Sequence, residues 1–185
     1  NFVCLSLDRH LRRLARRFKA RYTRYSDDLT FSFASLTLEK IPNEIFLVTK
    51  DLNGRVIATP GSLLTEAISK QGFVINAKKT IGNNRSKRQM VTGIVVNDGL
   101  SLPKKYISEL RRALYIWENF GIDEATKKAI PVLHKKKYAS TNPPSLIQLI
   151  RGKLAWIAKV TGRSSQQYQK LATIFNELVI FEEKP

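Results

Sequence analysis

The chain has 185 residues, of which 32 are Lys or Arg and 15 are Asp or Glu, for a formal net charge of +17. The excess is spread along the whole length, 17 cations against 8 acids up to residue 102 and 15 against 7 after it, which points to a polyanionic partner such as nucleic acid, or to an acidic membrane surface. One cysteine excludes an intrachain disulfide and a Cys-based zinc site, and no apolar run approaches the roughly 20 residues that span a bilayer, so the expectation is an intracellular protein.

The first predicted element is a helix from about Leu5 to Ala20. Leu7, Leu11, Leu14 and Phe18 fall on one face at 3.6 residues per turn, while Arg9, Arg12, Arg13, Arg16 and Arg17 lie on the other. Cys4 reads as an ordinary packed residue, and His10 and His134 lack ligand spacing. Arg21 to Tyr25 and Leu29 to Phe33 are rich in aromatic and β-branched residues and read as two strands around a Ser-Asp-Asp turn. A second hairpin is expected from Ile45 to Thr49 and Arg55 to Ala58 around Asp51-Leu52-Asn53-Gly54, where Asn-Gly tolerates positive φ. Ser62 is positioned to cap a helix from about Leu63 to Gln71, and Gly72 to end it. Phe73 to Asn76 reads as a strand, followed by a basic loop through Arg88, a strand from Met90 to Val96, and a turn at Asn97-Asp98-Gly99 into Leu100 to Leu102. The first hundred residues are therefore expected to be α+β.

Composition and period change at Pro103. Ile107, Leu110, Leu114 and Trp117 define a helix ending before Gly121, Asp123 starts another that runs into Lys135-Lys136-Lys137, Pro143-Pro144 opens a third from Ser145 to Val160 stopped by Thr161-Gly162, and a fourth covers Ser165 to Phe181. The expectation is a small helical bundle with a basic outer surface.

The most informative residues are Tyr25-Ser26-Asp27-Asp28. A tight turn exposes both carboxylates, and hard cations such as Mg²⁺ take oxygen ligands, so one or two carboxylates with substrate phosphates make a workable site for metal-assisted phosphoryl transfer. Asp in turns also has a purely local explanation, through hydrogen bonds to its own backbone. The flanking blocks bear on the choice between the two.

Arg21-Tyr-Thr-Arg-Tyr-Ser-Asp-Asp-Leu-Thr-Phe-Ser32 resembles the Tyr-x-Asp-Asp box of bacterial reverse transcriptases, with flanks that favour the retron group. Gly72-Phe-Val-Ile-Asn-Ala-Lys-Lys-Thr80 is similar to the next block of the polymerase palm, Arg88-Gln-Met-Val-Thr-Gly-Ile-Val-Val96 to the primer-grip strand pair, and Arg151-Gly-Lys-Leu-Ala-Trp-Ile157 to the thumb. The resemblance implies the C-terminal part of a right-hand polymerase palm over residues 1–102, an antiparallel sheet with helices, and an all-α thumb over 103–185. It implies Asp27 and Asp28 as ligands of two catalytic Mg²⁺ ions, Tyr25 beneath the primer terminus, Lys79 as general acid for pyrophosphate or as a contact to the triphosphate, and Gly93 as a point of close backbone approach to the primer. Arg24, Arg88, Lys105, Arg112, Arg151 and Lys153 would touch template and primer through phosphates and 2′-hydroxyls.

An RNA-directed DNA polymerase of the bacterial cytoplasm follows from the same resemblance, with a noncoding RNA as template, an RNA/DNA hybrid, deoxynucleoside triphosphates and an effector protein in antiphage defence as its partners. The family also has an earlier aspartate, a glycine-rich block and fingers, which precede the acidic box; Asn1 aligns with the end of that block, so the chain reads as a palm and thumb portion that works with an N-terminal portion. The hairpin from Ile45 to Ala58 is longer than the usual connection and has no assigned role. A group II intron or abortive-infection reverse transcriptase is the near alternative. A catalytically silent RNA-binding scaffold and a duplex-binding helical regulator are the alternatives of other classes.

Overall fold

Helix α1 (Leu5–Arg17) follows a short 3-10 turn at Phe2–Cys4 and buries Leu7, Leu11 and Ala15, while its five arginines stay exposed. The computed structural model describes residues 2–34, 40–52, 54, 56–133 and 145–182. The turn, strand and helix signals at Asn53, Arg55, His134, Lys135-Lys136-Lys137 and Pro143-Pro144 lie outside those residues. The helix stops three residues sooner than its apolar period suggests. Lys19 takes φ 53°, and the Lys19 and Ala20 amides donate back to the Arg16 and Ala15 carbonyls at 3.1 and 2.8 Å. This is the Schellman pattern with lysine where glycine is usual, so the stop signal was absent from the letters.

β1 (Arg21–Tyr25) and β2 (Asp28–Ser32) form an antiparallel hairpin in which Tyr25 faces Asp28 and Arg21 faces Ser32. The loop is two residues, Ser26-Asp27, shorter than the expected Ser-Asp-Asp turn, because Ser26 adopts φ 53° and lets the chain reverse at once. Tyr22 and Phe31 pack at 5.2 Å between ring centroids, and Phe31 and Phe33 both meet Phe46 edge-on, at 5.6 and 6.4 Å. Phe46 opens β3 (Phe46–Lys50), which pairs antiparallel with β4 (Val56–Pro60), so the second expected hairpin is present.

Gly61, and not Ser62, is the N-cap of α2 (Ser62–Ser69): the Gly61 amide donates to the Ile45 carbonyl at 2.7 Å and the Leu63 amide to the Glu44 carbonyl at 3.0 Å, so backbone carbonyls do what a serine hydroxyl was expected to do. Leu64 and Ile68 of α2 join Leu7 and Leu11 in one core, with Tyr22, Leu29, Phe31, Phe46, Phe73 and Ile75 against it. Phe73 to Asn76 is extended and alternates half-buried with exposed, yet pairs with no strand among the described residues. The period of two was correct, and the ladder was not.

Residues 90–96, read from their apolar run as one strand and from the family resemblance as a strand pair, are the pair: a two-residue-loop hairpin, β5 (Met90–Val91) and β6 (Ile94–Val95). Thr92 and Gly93 both have positive φ, 48° and 84°, as a loop that follows the twist of its strands requires. The turn at Asn97-Asp98-Gly99 brings Ser101 back to bridge Val95.

Two compact units result, Asn1–Thr92 and Gly93–Pro185. The second holds α3 (Lys104–Leu133), α4 (Leu146–Thr161) and α5 (Gln166–Glu182). α3 is two helical segments joined at Gly121, whose φ 81° and ψ 167° interrupt the helix where the sequence placed a stop. Leu110, Leu114, Trp117, Ile150, Ile157, Leu171 and Phe175 form the centre of its core. Trp117 stacks edge-on against Phe175 at 6.1 Å and donates its indole N–H to a Glu182 carboxylate oxygen at 2.9 Å, so α3 and the far end of α5 are tied together. No helix among the described residues is long and apolar enough to cross a membrane.

Candidate active site

The β1–β2 hairpin sorts its side chains by the period of two. Tyr22, Arg24, Leu29 and Phe31 share one face and Arg21, Thr23, Tyr25, Asp28, Thr30 and Ser32 the other, because residues opposite one another in an antiparallel pair point the same way. The first face packs toward α1. The second carries Tyr25, 71% exposed, beside Asp28, with Asp27 exposed at the bend. Among the described residues neither carboxylate has a cationic partner.

Asp8, the one acid of α1, receives three hydrogen bonds at 2.8 Å: from the Tyr22 hydroxyl and Arg24 Nε at one oxygen, and from Arg24 Nη2 at the other. Side-chain exposure is 11% for Arg24 and 13% for Asp8, so the fork is largely shielded from water. Hydrogen bonding from Arg24 is the main cause that holds the Asp8 carboxyl down to about 2, with Tyr22 adding to it against the opposing effect of burial. Burial first, and then the Asp8 hydrogen bond, push the Tyr22 phenol up from its ordinary range; the same carboxylate raises Arg24. Arg24 Nη1 also donates to the Ser26 carbonyl at 2.8 Å. One guanidinium therefore joins the helix to the acidic loop. Arg24 was expected from sequence to contact nucleic acid, and the structure engages it inside the chain.

Sequence reading missed Asp8 in this role. Its signal was there: a single acid before eight basic positions, at the edge of the Leu7, Leu11, Ala15 stripe.

Lys79 ends a 3-10 turn (Ala77–Lys79), is exposed, and makes no hydrogen bond or ion pair to Asp27 or Asp28 among the described residues. Arg88 is exposed ahead of β5. At Gly93 an added Cβ would meet nothing within 4 Å, so positive φ, and not crowding within this chain, accounts for the glycine. In the helical unit Lys105 and Arg112 are exposed and seven residues apart, hence on one face of α3, where Lys105 reaches Glu109 at 4.0 Å. Lys153 lies over the Tyr106 ring at 4.4 Å, and burial pushes the Tyr106 phenol up to about 12. Arg151 lines a groove of about 400 Å³ between α4 and α5, together with Lys159, Arg163 and Tyr168 over a floor that includes Ala155 and Phe175. Lys159 and Arg163 were not singled out from sequence, although Arg151, Ala155 and Lys159 stand at the i, i+4, i+8 spacing of one helix face.

Exposed, adjacent carboxylates without internal cations suit a hard divalent ion in donor chemistry and access. Among the described residues no group of three or more His, Cys, Asp or Glu side chains could hold a metal ion.

Comparison with known proteins finds similar chains. The chain is 36% identical to the retron Mx65 reverse transcriptase of Myxococcus xanthus over 116 residues and 34% identical to the retron Mx162 reverse transcriptase of the same organism over 121, each match covering 62% of this chain. It is 27% identical to the retron Ec86 reverse transcriptase of Escherichia coli over 179 residues, 96% of this chain. The chain is similar to retron reverse transcriptases over most of its length. The resemblance read from the sequence blocks is thereby borne out. The matches take in 23%, 23% and 42% of those three proteins, so the chain spans less than half the length of the curated relatives it matches. No family model and no solved structure matches it.

Proposed function

We propose that this chain is the palm and thumb portion of a retron-type RNA-directed DNA polymerase. The observation that carries the reading is the exposed Asp27-Asp28 pair beside Tyr25 on the outward face of a braced hairpin, in a chain related to retron reverse transcriptases. Asp27 and Asp28 would offer carboxylate oxygens to Mg²⁺, with a further carboxylate contributed by an N-terminal portion of the polymerase. Mg²⁺ bound there would neutralise charge on the reacting phosphates and lower the pKa of the attacking hydroxyl. Tyr25, on the same face as Asp28, would support the primer end. Lys79 would meet the triphosphate or protonate the leaving pyrophosphate. Arg151, with Lys159 and Arg163, would hold a nucleic-acid backbone in the α4–α5 groove. The retron relationship supports a noncoding RNA template and, by analogy alone, an effector partner in antiphage defence.

Combining the chain with the N-terminal portion of a retron reverse transcriptase and measuring Mg²⁺- or Mn²⁺-dependent primer extension on RNA tests this. Extension that is lost on Asp27→Asn while RNA binding is kept is the expected result. RNA binding without extension in any combination would favour the scaffold reading, which the basic α4–α5 groove also supports.

A further inference from the structure

The acidic loop is short, exposed and left-handed at Ser26, features that by themselves would leave two carboxylates free to sample many directions. Two like charges side by side also repel, so nothing intrinsic to the loop favours the geometry a divalent ion needs. What restrains it lies behind it. Arg24 is the last inward-facing residue of β1, two positions before Ser26, and its three donor nitrogens are distributed between Asp8 and the Ser26 carbonyl, each at 2.8 Å. Asp8 is fixed in turn by the Tyr22 hydroxyl and by its place on α1, whose Leu7 and Leu11 are in the core.

We propose that Asp8 and Arg24 are positioning residues, a strut running from α1 through the guanidinium to the Ser26 carbonyl that holds the Asp27-Asp28 loop in the pose that receives a divalent cation. The inference rests on the polymerase reading for what the loop receives. It assigns Arg24 to the support of the acidic loop and not to contact with template or primer. A planar guanidinium is required because its donors sit on three nitrogens in a fixed fork, wide enough to meet both Asp8 oxygens and the Ser26 carbonyl at once. A lysine could keep the ion pair with Asp8 as a point charge, but it could not also reach Ser26 in a fixed direction. Supporting groups that orient metal ligands typically change metal affinity by about tenfold or more when removed.

Arg24→Lys therefore separates a positioning role from a merely structural one. In the full chain, paramagnetic broadening by Mn²⁺ of the backbone amides at 26–28 gives the affinity of the loop, and amide hydrogen exchange without metal gives its restraint. The expected result is that Arg24→Lys leaves the thermal transition close to that of the unsubstituted chain, speeds exchange at Ser26, Asp27 and Asp28, and weakens Mn²⁺ broadening there by about tenfold. Asp8→Asn should weaken it in the same direction. Arg24→Lys with unaltered broadening and unaltered exchange would overturn the strut. Absence of localised broadening and of primer extension when the unsubstituted chain is combined with the N-terminal portion of a retron reverse transcriptase would instead overturn the polymerase reading on which the strut depends.

Discussion

Replacing Asp8 by Asn should destabilise the first unit in a way that depends on pH. The Asp8 carboxyl falls from an ordinary 3.8 to about 2 in the folded chain, and one unit is worth about 1.36 kcal/mol, which sets a ceiling near ~2.5 kcal/mol. Both partners keep some access to water, 11% and 13%, so screening reduces the expected loss to about 1–2 kcal/mol. A carboxylate whose folded value is depressed stabilises above its unfolded value. The difference between Asp8→Asn and the unsubstituted chain should therefore be full above about pH 4 and fade as pH falls toward 2. Urea unfolding from pH 2 to 7, followed by amide exchange at 21–32, reads the effect, while both tryptophans, Trp117 and Trp156, report the helical unit and serve as an internal control. Glu66→Gln, which breaks the exposed pair with Lys70, should be close to neutral. A loss independent of pH, or no loss at pH 7, would refute the assignment of that stability to the Asp8 fork.

Leu110, fully buried at the centre of the helical unit, should cost about 3 kcal/mol on Leu110→Ala, seen as an earlier tryptophan fluorescence transition in urea. Gly121→Ala forces a side chain onto φ 81° and ψ 167°, backbone that is nearly glycine-only, and should cost about 1–3 kcal/mol in the same assay. Combined Arg151→Ala, Lys159→Ala and Arg163→Ala should weaken binding of single-stranded RNA and flatten the log–log salt dependence by about two units if each contacts one phosphate. An unchanged slope in a filter-binding titration would remove the groove from the nucleic-acid surface.

The hairpins and helices were legible where the signal was local. Alternation marked β1 and β2, the Leu7 and Leu11 spacing marked α1, and Gly121 and Gly162 marked helix ends. What escaped was decided by backbone that no residue type announced or by partners far along the chain. Lys19 and Ser26 take left-handed conformations that would ordinarily suggest glycine. Thr92 does the same, which splits the apolar run read as one strand into a pair. The acidic loop was visible as two adjacent letters, but its support was not, because Asp8 and Arg24 are sixteen residues apart and meet only when the helix is laid against the hairpin. Arginine in a basic sequence reads as a contact for phosphate. Only packing reveals that this one faces inward.

The two-residue bend between Tyr25 and Asp28 also limits how this segment can change over evolution. A substitution there alters one group, whereas a single inserted residue turns over every side chain on one strand, sending Leu29 and Phe31 outward and parting Asp28 from Tyr25. Homologous chains should therefore keep the count between Tyr25 and Asp28 and vary the letter at position 26, which offers Arg24 only a backbone carbonyl, far more readily than the acid at position 27.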